Sequence, residues 1–177
     1  MKPLDTLKAM HGNSLLLWEK GEKYNLFKKY LVENEVGEYY EPEGDNFEDV
    51  LMNLMIKSIT TDHRLIVNSD EIIKYPLKRI NDTSNHSKAK LLNIIGFINI
   101  LWIAQIQTEF EDPLGIAAWL RRDDRINCGY PLIYNSNIIL KIIENNEHEE
   151  FDIVLIKHPE IRMLKKWTAN KDFEEVE

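Results

Sequence analysis

Two consecutive residues, Asp62-His63, have side chains of the kind that general acid–base catalysis uses, and Arg64 follows them. A carboxylate beside a histidine can orient the imidazole, and the imidazole can then carry a proton near neutral pH. The sequence offers this pair no recognisable nucleophile. The G-x-S-x-G motif is absent, and the single cysteine, Cys128, is more typical of a small buried residue. We therefore predict no catalytic residue, with a small enzyme around Asp62, His63 and Cys128 as an alternative.

Metal coordination is a second chemistry that the residue types allow. The acidic stretch before the last helix contains the potential ligands Glu144, Glu147, His148 and Asp152. The histidines form no recognisable zinc pattern, and built metal sites need matched ligands with orienting partners. Residues 121–125 combine three arginines with two aspartates, which is typical of an ion-paired helix end rather than of a magnesium site. We predict no metal and no cofactor.

Phosphate binding lacks its usual sequence signals. The seven glycines never form G-x-G, and neither Gly-Lys-Ser nor Gly-Lys-Thr occurs. Nucleic-acid binding is not expected either, because the formal net charge is −8 and residues 1–30 have only six lysines against three acidic residues. The same charge argues against a role at a membrane surface.

One acidic segment, Glu33–Asp49, accounts for the whole net charge. The chain has 30 acidic and 22 basic residues, and this segment has eight carboxylates and no Lys or Arg, so 22 of each sign remain outside it. Such a block repels itself, and it is typical of a solvated loop or of a surface for a cationic partner. Tyr39 and Tyr40 favour the partner surface, because solvation does not require aromatic side chains. The predicted partner-binding residues are Glu33, Glu35, Glu38, Tyr39, Tyr40, Glu41, Glu43 and Asp45.

A basic protein partner would complement this acidic surface. The cleft of a nuclease is basic because it holds phosphates. We therefore predict an immunity protein or antitoxin-like inhibitor that occludes the active site or substrate groove of a cationic toxin, as in contact-dependent growth inhibition. The alternatives are the small enzyme described above and an adaptor protein of phage or mobile-element origin.

The elements that position these residues follow mostly helical periodicity. Asp45-Asn46-Phe47-Glu48 and Asn68-Ser69-Asp70-Glu71 have the composition of helix starts. The longest predicted helix lies near residues 88–111, and its segment Leu91–Ile106 is apolar on nearly every side. A surface helix would keep a polar face, so we place this helix at the centre of the fold. Helical spacing recurs in residues 138–143 and 151–158 and after Pro159.

These patterns predict one all-α or mainly α domain, residues 1–177, with six to eight helices around the central helix. The alternative is an α+β fold with a small sheet from Leu65–Val67, Leu132–Tyr134 and Phe151–Ile156. The tail, residues 172–177, is expected to fray. The N-terminus does not resemble a signal peptide, and Leu91–Ile106 would span only about 24 Å as a helix, short of the ~30 Å membrane core. We expect a cytoplasmic protein.

Overall fold

Seven strands form one mixed sheet in the computed structural model, which describes residues 5–8, 12–19, 24–78, 85–96, 98–106, 126, 129–145, 147, 149–162 and 164–176. The strands are β1 (Ser14–Glu19), β2 (Glu38–Tyr39), β3 (Leu65–Asn68), β4 (Ile100–Ile106), β5 (Ile138–Asn145), β6 (Glu150–Lys157) and β7 (Lys165–Ala169). Their order in the sheet is β2-β3-β4-β1-β5-β6-β7. The first five strands in the chain are mutually parallel, and β6 and β7 are antiparallel additions at one edge.

The helices of the described residues are α1 (Asp5–Lys8), α2 (Tyr24–Glu33), α3 (Phe47–Thr60), α4 (Ser69–Ile73), α5 (Asn85–Ile94) and α6 (Gly129–Asn135). They cover both faces of the sheet. Residues of α3, α4, α5 and α6 pack in one apolar cluster with Leu15 and Leu17 of β1. Residues of α1 and α2 pack in a second cluster with Leu16 and Trp18.

Residues 14–18 of β1 are buried, because both faces of the strand are covered. Leu15, Leu16, Leu17 and Trp18 all have 0% exposed surface. Alternate side chains of a strand point to opposite faces, so a strand between two helical layers needs apolar residues at every position. The run of four large apolar residues therefore specifies an interior parallel strand.

The direction of the chain connections reverses at β1. The connection after β1 crosses three strand positions to reach β2, whereas those after β2, β3 and β4 run in the opposite direction across the sheet. Parallel crossovers are right-handed, so connections that run in opposite directions across the sheet place their helices on opposite faces. The helix after β1 accordingly lies in one apolar cluster, and the helices after β2, β3 and β4 lie in the other. The carboxyl end of β1 is consequently a topological switch point, where doubly wound sheets leave a crevice for ligands.

The predicted all-α fold is wrong, and the chain is an α/β protein. The supposed central helix near residues 88–111 is two elements, because α5 ends at Ile94 and β4 begins at Ile100. Asn99 and Gly96 lie in the turn between them. Ile100, Trp102 and Ala104 face one cluster and Leu101 and Ile103 the other. A strand buried on both faces lacks alternation, which is why its sequence resembled a buried helix.

The C-terminal half repeats this error at three places. The residues predicted as helices at 138–143, at 151–158 and after Pro159 contain β5, β6 and β7. Of the small alternative sheet, Leu65–Val67 and Phe151–Ile156 are in strands, whereas Leu132–Tyr134 is in α6. The prediction of a single domain stays a prediction.

The starts of two helices were predicted to within one residue, because the chemistry of an N-cap is local. The Asn46 side-chain oxygen accepts a hydrogen bond from the backbone N–H of Asp49 at 3.0 Å and begins α3. The Asn68 side chain does the same for Asp70 at 3.1 Å and begins α4. Within the described ranges, no helix is long and apolar enough to cross a bilayer.

Burial of β1 leads to a direct stability prediction. Leu17→Ala should lower the free energy of unfolding by about 2–5 kcal/mol, because a buried leucine is lost and a cavity is left. Ile94→Ala is the matched control, since Ile94 is 65% exposed and substitutions at such positions usually change stability by at most about 0.5 kcal/mol. Urea denaturation measures both variants. Equal small effects would contradict a central, doubly covered β1.

Candidate functional site

The carboxyl edge of the parallel strands carries a cleft of about 280 Å³. It opens where β2 and β3 end and where α4 begins. Its volume is close to the lower limit for small-molecule sites, about 300 Å³, and its position agrees with the ligand crevice of doubly wound sheets. The lining residues are Tyr39, Tyr40, Glu41, Pro42, Asn68, Glu71, Ile72 and Tyr75.

The two adjacent tyrosines reach the cleft because β2 is held as a short edge strand. The backbone N–H of Glu38 donates to the carbonyl of Arg64 at 2.8 Å, and that of Tyr40 donates to Ile66 at 2.9 Å. Gly37 allows this close approach, since a Cβ on that residue would lie 2.5 Å from the Arg64 carbonyl oxygen. Successive residues of the strand point to opposite faces, so Tyr39 packs with one cluster and Tyr40 with the other.

The other wall of the cleft is built by the turn after β3. The Ser69 hydroxyl donates to the carbonyl of Ile103 at 3.2 Å, and an Asp70 carboxylate oxygen accepts from the backbone N–H of Gln105 at 2.6 Å. These two hydrogen bonds hold the first turn of α4 against β4 and so fix the position of Asn68 at the opening of the cleft. Across the cleft, the Tyr75 hydroxyl lies 3.5 Å from the carbonyl oxygen of Pro42.

Lysines from two helices lie against this edge. Lys28 Nζ lies 3.3 Å from the centroid of the Tyr39 ring and 3.6 Å from a Glu41 carboxylate oxygen. Lys57 Nζ lies 5.9 Å from the Tyr40 centroid and 3.3 Å from Glu38. The aromatic rings therefore contact cations, and much of the segment's negative charge is balanced within the molecule.

The structure brings together only some of the predicted partner-binding residues. Tyr39, Tyr40 and Glu41 share the cleft, and Glu43 and Asp45 lie in the loop that leads to α3. Glu33 ends α2 and Glu35 lies in the turn before β2, at the opposite edge of the sheet. Glu38 begins β2 and pairs with Lys57. Binding of a partner by this set stays a prediction.

The residues of the alternative enzyme site do not meet at this edge. His63 is exposed in the turn before β3, at the amino edge, and its backbone N–H lies 3.4 Å from the Thr61 hydroxyl. Asp62 is exposed beside it. Cys128, the Arg121–Arg125 cluster and His148 lie outside the described residues. Sequence reasoning missed Asn68, Glu71 and Tyr75 as site residues; a polar turn directly after a buried strand is the signal that could have found them.

Two of the four potential metal ligands contact other side chains. Glu144 accepts a hydrogen bond from the Trp18 indole at 3.1 Å, and Asp152 forms an ion pair with Lys166 at 2.8 Å. Across the described part of the chain, no group of three His, Cys, Asp or Glu side chains could hold a metal ion.

Arg64 fastens the amino edge of the sheet. Its Nε donates to the Asn99 side-chain oxygen at 3.0 Å, and its Nη1 donates to the carbonyl of Leu7 in the turn of α1. Burial lowers the pKa of the guanidinium to about 10, because the charged form is removed from water. The guanidinium is still protonated at neutral pH, so Arg64 serves as a charged structural donor away from the cleft.

Comparison with known proteins shows the fold class. No family model and no curated protein matches the chain. A KaiC-like protein from the hyperthermophilic archaeon Pyrococcus horikoshii is similar in structure, with a TM-score of 0.51 and 14% identity over 89% of this chain and 84% of that one. RadB recombinase gives a TM-score of 0.46 at 12% identity, over 99% of this chain and 83% of its own. Only the first score is high enough to support the α/β fold.

These findings overturn the functional prediction made from the sequence. The predicted α-helical immunity protein is wrong, because the chain has an α/β fold shared with the KaiC-like structure. The prediction that the chain is not an enzyme is contradicted by the same similarity. The immunity-protein prediction rested on the charge of the acidic segment, which carries information about association and not about fold, whereas the prediction of no enzyme rested on the absence of a catalytic motif.

The fastening of the cleft turn is testable by substitution. Asp70→Ala should destabilise the protein by about 1–3 kcal/mol, because the partly buried N–H of Gln105 loses its acceptor. Asp70→Asn, which keeps an acceptor oxygen, should be milder. Asp62→Ala is the exposed control and should have little effect. Thermal and urea denaturation measure all three, and a harmless Asp70→Ala would show that the turn is held by other contacts.

Proposed function

We propose that this chain is a nucleotide-binding domain of the RecA-like, ATPase-type α/β class, with its ligand at the carboxyl edge of the sheet. The observation that carries the proposal is the tyrosine-lined cleft at the ends of β2 and β3. The parallel strands place this cleft on the same edge as the switch point at β1. We retain the cytoplasm as the proposed location.

The chemistry of the cleft suits the base of a nucleotide. Tyr39, Tyr40 and Tyr75 offer aromatic surface for stacking, which contributes about 1–3 kcal/mol per base at protein sites. Glu41 and Glu71 are acceptors for the N–H groups of a base, and the Asn68 amide can donate and accept. Glu41 pairs with Lys28 and Glu71 with Lys74, so the cleft has no surplus positive charge for a phosphate and takes the base end of the ligand.

The phosphate end belongs near the start of α2. β1 ends at Glu19 and α2 begins at Tyr24, so Lys20-Gly21-Glu22-Lys23 bridge them in the sequence. Helix N-termini favour anions, and the connecting sequence has two lysines against one glutamate. β1 lies two strand spacings from β3, about 10 Å, which is comparable with the length of a nucleotide.

The chain departs from P-loop enzymes in two respects. Gly-Lys-Ser and Gly-Lys-Thr do not occur in it, and β3 ends in Asn68, whereas P-loop enzymes hold Mg²⁺ with a serine or threonine and an aspartate. Hydrolysis of a nucleoside triphosphate is the activity that the ATPase-type fold suggests. We expect this turnover to be slow, because the chain lacks the Gly-Lys-Ser/Thr motif and has Asn68 at the end of β3 where P-loop enzymes have an aspartate.

Nucleotide titration tests the proposal. Isothermal titration calorimetry with ATP and Mg²⁺ should detect binding to the wild type, and Tyr40→Leu or Tyr75→Leu should weaken it about tenfold or more. The reason is that leucine keeps apolar packing but loses stacking, and ~1.4 kcal/mol corresponds to tenfold. Tyr134→Leu is the matched control, since Tyr134 is 69% exposed near the end of α6, just before the amino end of β5, and does not line the cleft.

Two further measurements separate the ends of the ligand. Inorganic triphosphate should bind the wild type and Tyr40→Leu equally, whereas Lys23→Ala should weaken both ATP and triphosphate. Phosphate release, measured in the same samples, should follow the occupancy seen by calorimetry in each variant. Absence of ATP binding up to about 1 mM, a Kd equivalent to ~4 kcal/mol, would overturn the proposal.

A further inference from the structure

The outer face of α3 presents an apolar stripe to solvent. Met52, Ile56 and Ile59 are 57%, 53% and 75% exposed. Their spacing of four and then three residues places them on one side of the helix. The opposite side packs in the core through Val50 and Leu54. Single exposed apolar residues are ordinary, but a surface helix normally has polar residues along its outer face.

An acidic groove adjoins the stripe at the beginning of α3. It has a volume of about 410 Å³ and is lined by Glu43, Asp45, Asp49, Met52 and neighbouring atoms. Met52 belongs to both features, so the stripe and the groove form one continuous surface. The Asn53 side chain holds the groove's rim by donating to the Glu43 carbonyl at 2.6 Å.

Negative charge is concentrated in this groove. Elsewhere in the acidic segment Glu33, Glu38 and Glu41 pair with Lys29, Lys57 and Lys28. Among the described residues, Glu43 and Asp45 have no lysine or arginine partner. Asp49 has an exposed contact with Lys78 at 3.7 Å, and exposed pairs of that kind are weak enough for a competing cation to displace.

We propose that this surface docks a basic amphipathic helix of a partner protein. Apolar side chains of the partner would cover Met52, Ile56 and Ile59, and its Lys or Arg residues would enter the groove beside Glu43 and Asp45. Helix-on-helix packing buries such stripes, and acidic groups around them select a basic partner and steer its approach.

The negative charge of the groove favours a basic helix over a second copy of this chain or a membrane surface. A second copy of the chain would bring an identical acidic groove to the same interface, and a membrane surface is anionic, so both would be repelled by a protein of net charge −8. The surface lies on the helical layer of α3, outside the tyrosine-lined cleft, so the proposal is independent of nucleotide binding.

A designed peptide supplies the probe. It has about 15 residues, enough for a marginal helix, with leucines at i, i+4 and i+7 and lysines towards one end. Fluorescence anisotropy should show saturable binding to the wild type. Affinity should fall at least tenfold between 0.1 M and 1 M salt, over which the Debye length shortens from ~10 Å to ~3 Å. A peptide with glutamates in place of the lysines should not bind.

Matched variants test the location. Ile56→Glu should weaken peptide binding at least tenfold, whereas Ile94→Glu, at a similarly exposed isoleucine of α5, should not. Glu43→Lys combined with Asp45→Lys should weaken it and remove most of its salt dependence. Unchanged melting temperatures confirm that the variants are folded, and ATP titration should be unaffected.

Three results would overturn the proposal. The first is equal peptide binding by the wild type and Ile56→Glu, and the second is no saturable binding up to about 1 mM. The third is a wild-type dimer in sedimentation velocity that Ile56→Glu dissociates, because the occupant would then be a second copy of this chain.

Discussion

Burial of β1 on both faces is the constraint from which the rest of the architecture follows. The backbone groups of a strand without access to water must be paired, so β1 requires a neighbour on each side, and β4 and β5 supply them in parallel. Its side chains require a helical layer on each face. Right-handed connections can provide both layers only by reversing direction, and the reversal produces the crevice at the carboxyl edge.

The same constraint explains how much of the fold the sequence could predict. Asn46 and Asn68 begin helices through contacts two or three residues away, so their signals survive in any fold. Leu91–Ile106 depends on layers formed by distant residues. Once both faces are covered, the alternation that identifies a strand is lost, and the run resembles a buried helix.

The sequence pointed to only some of the residues that line the cleft. Tyr39, Tyr40 and Glu41 stood out because aromatic residues were embedded in an acidic run. Their partners Asn68 and Tyr75 are far along the chain and join them only because β2 and β3 pair in parallel. The charge of a segment indicates which partners it attracts, but it carries no information about a cleft that forms only when distant strands pair.

The carboxyl edge of the sheet is where the ligand binds in the proposed function. Amide chemical shifts, followed by NMR during titration with ATP and Mg²⁺, test it most directly, because they locate the ligand without substitutions. We predict that the changes cluster at residues 39–42 and 68–75 and at the first turn of α2. Changes confined to the amino edge, around Asn13, Arg64 and Asn99, or no changes at saturating nucleotide, would contradict the claim.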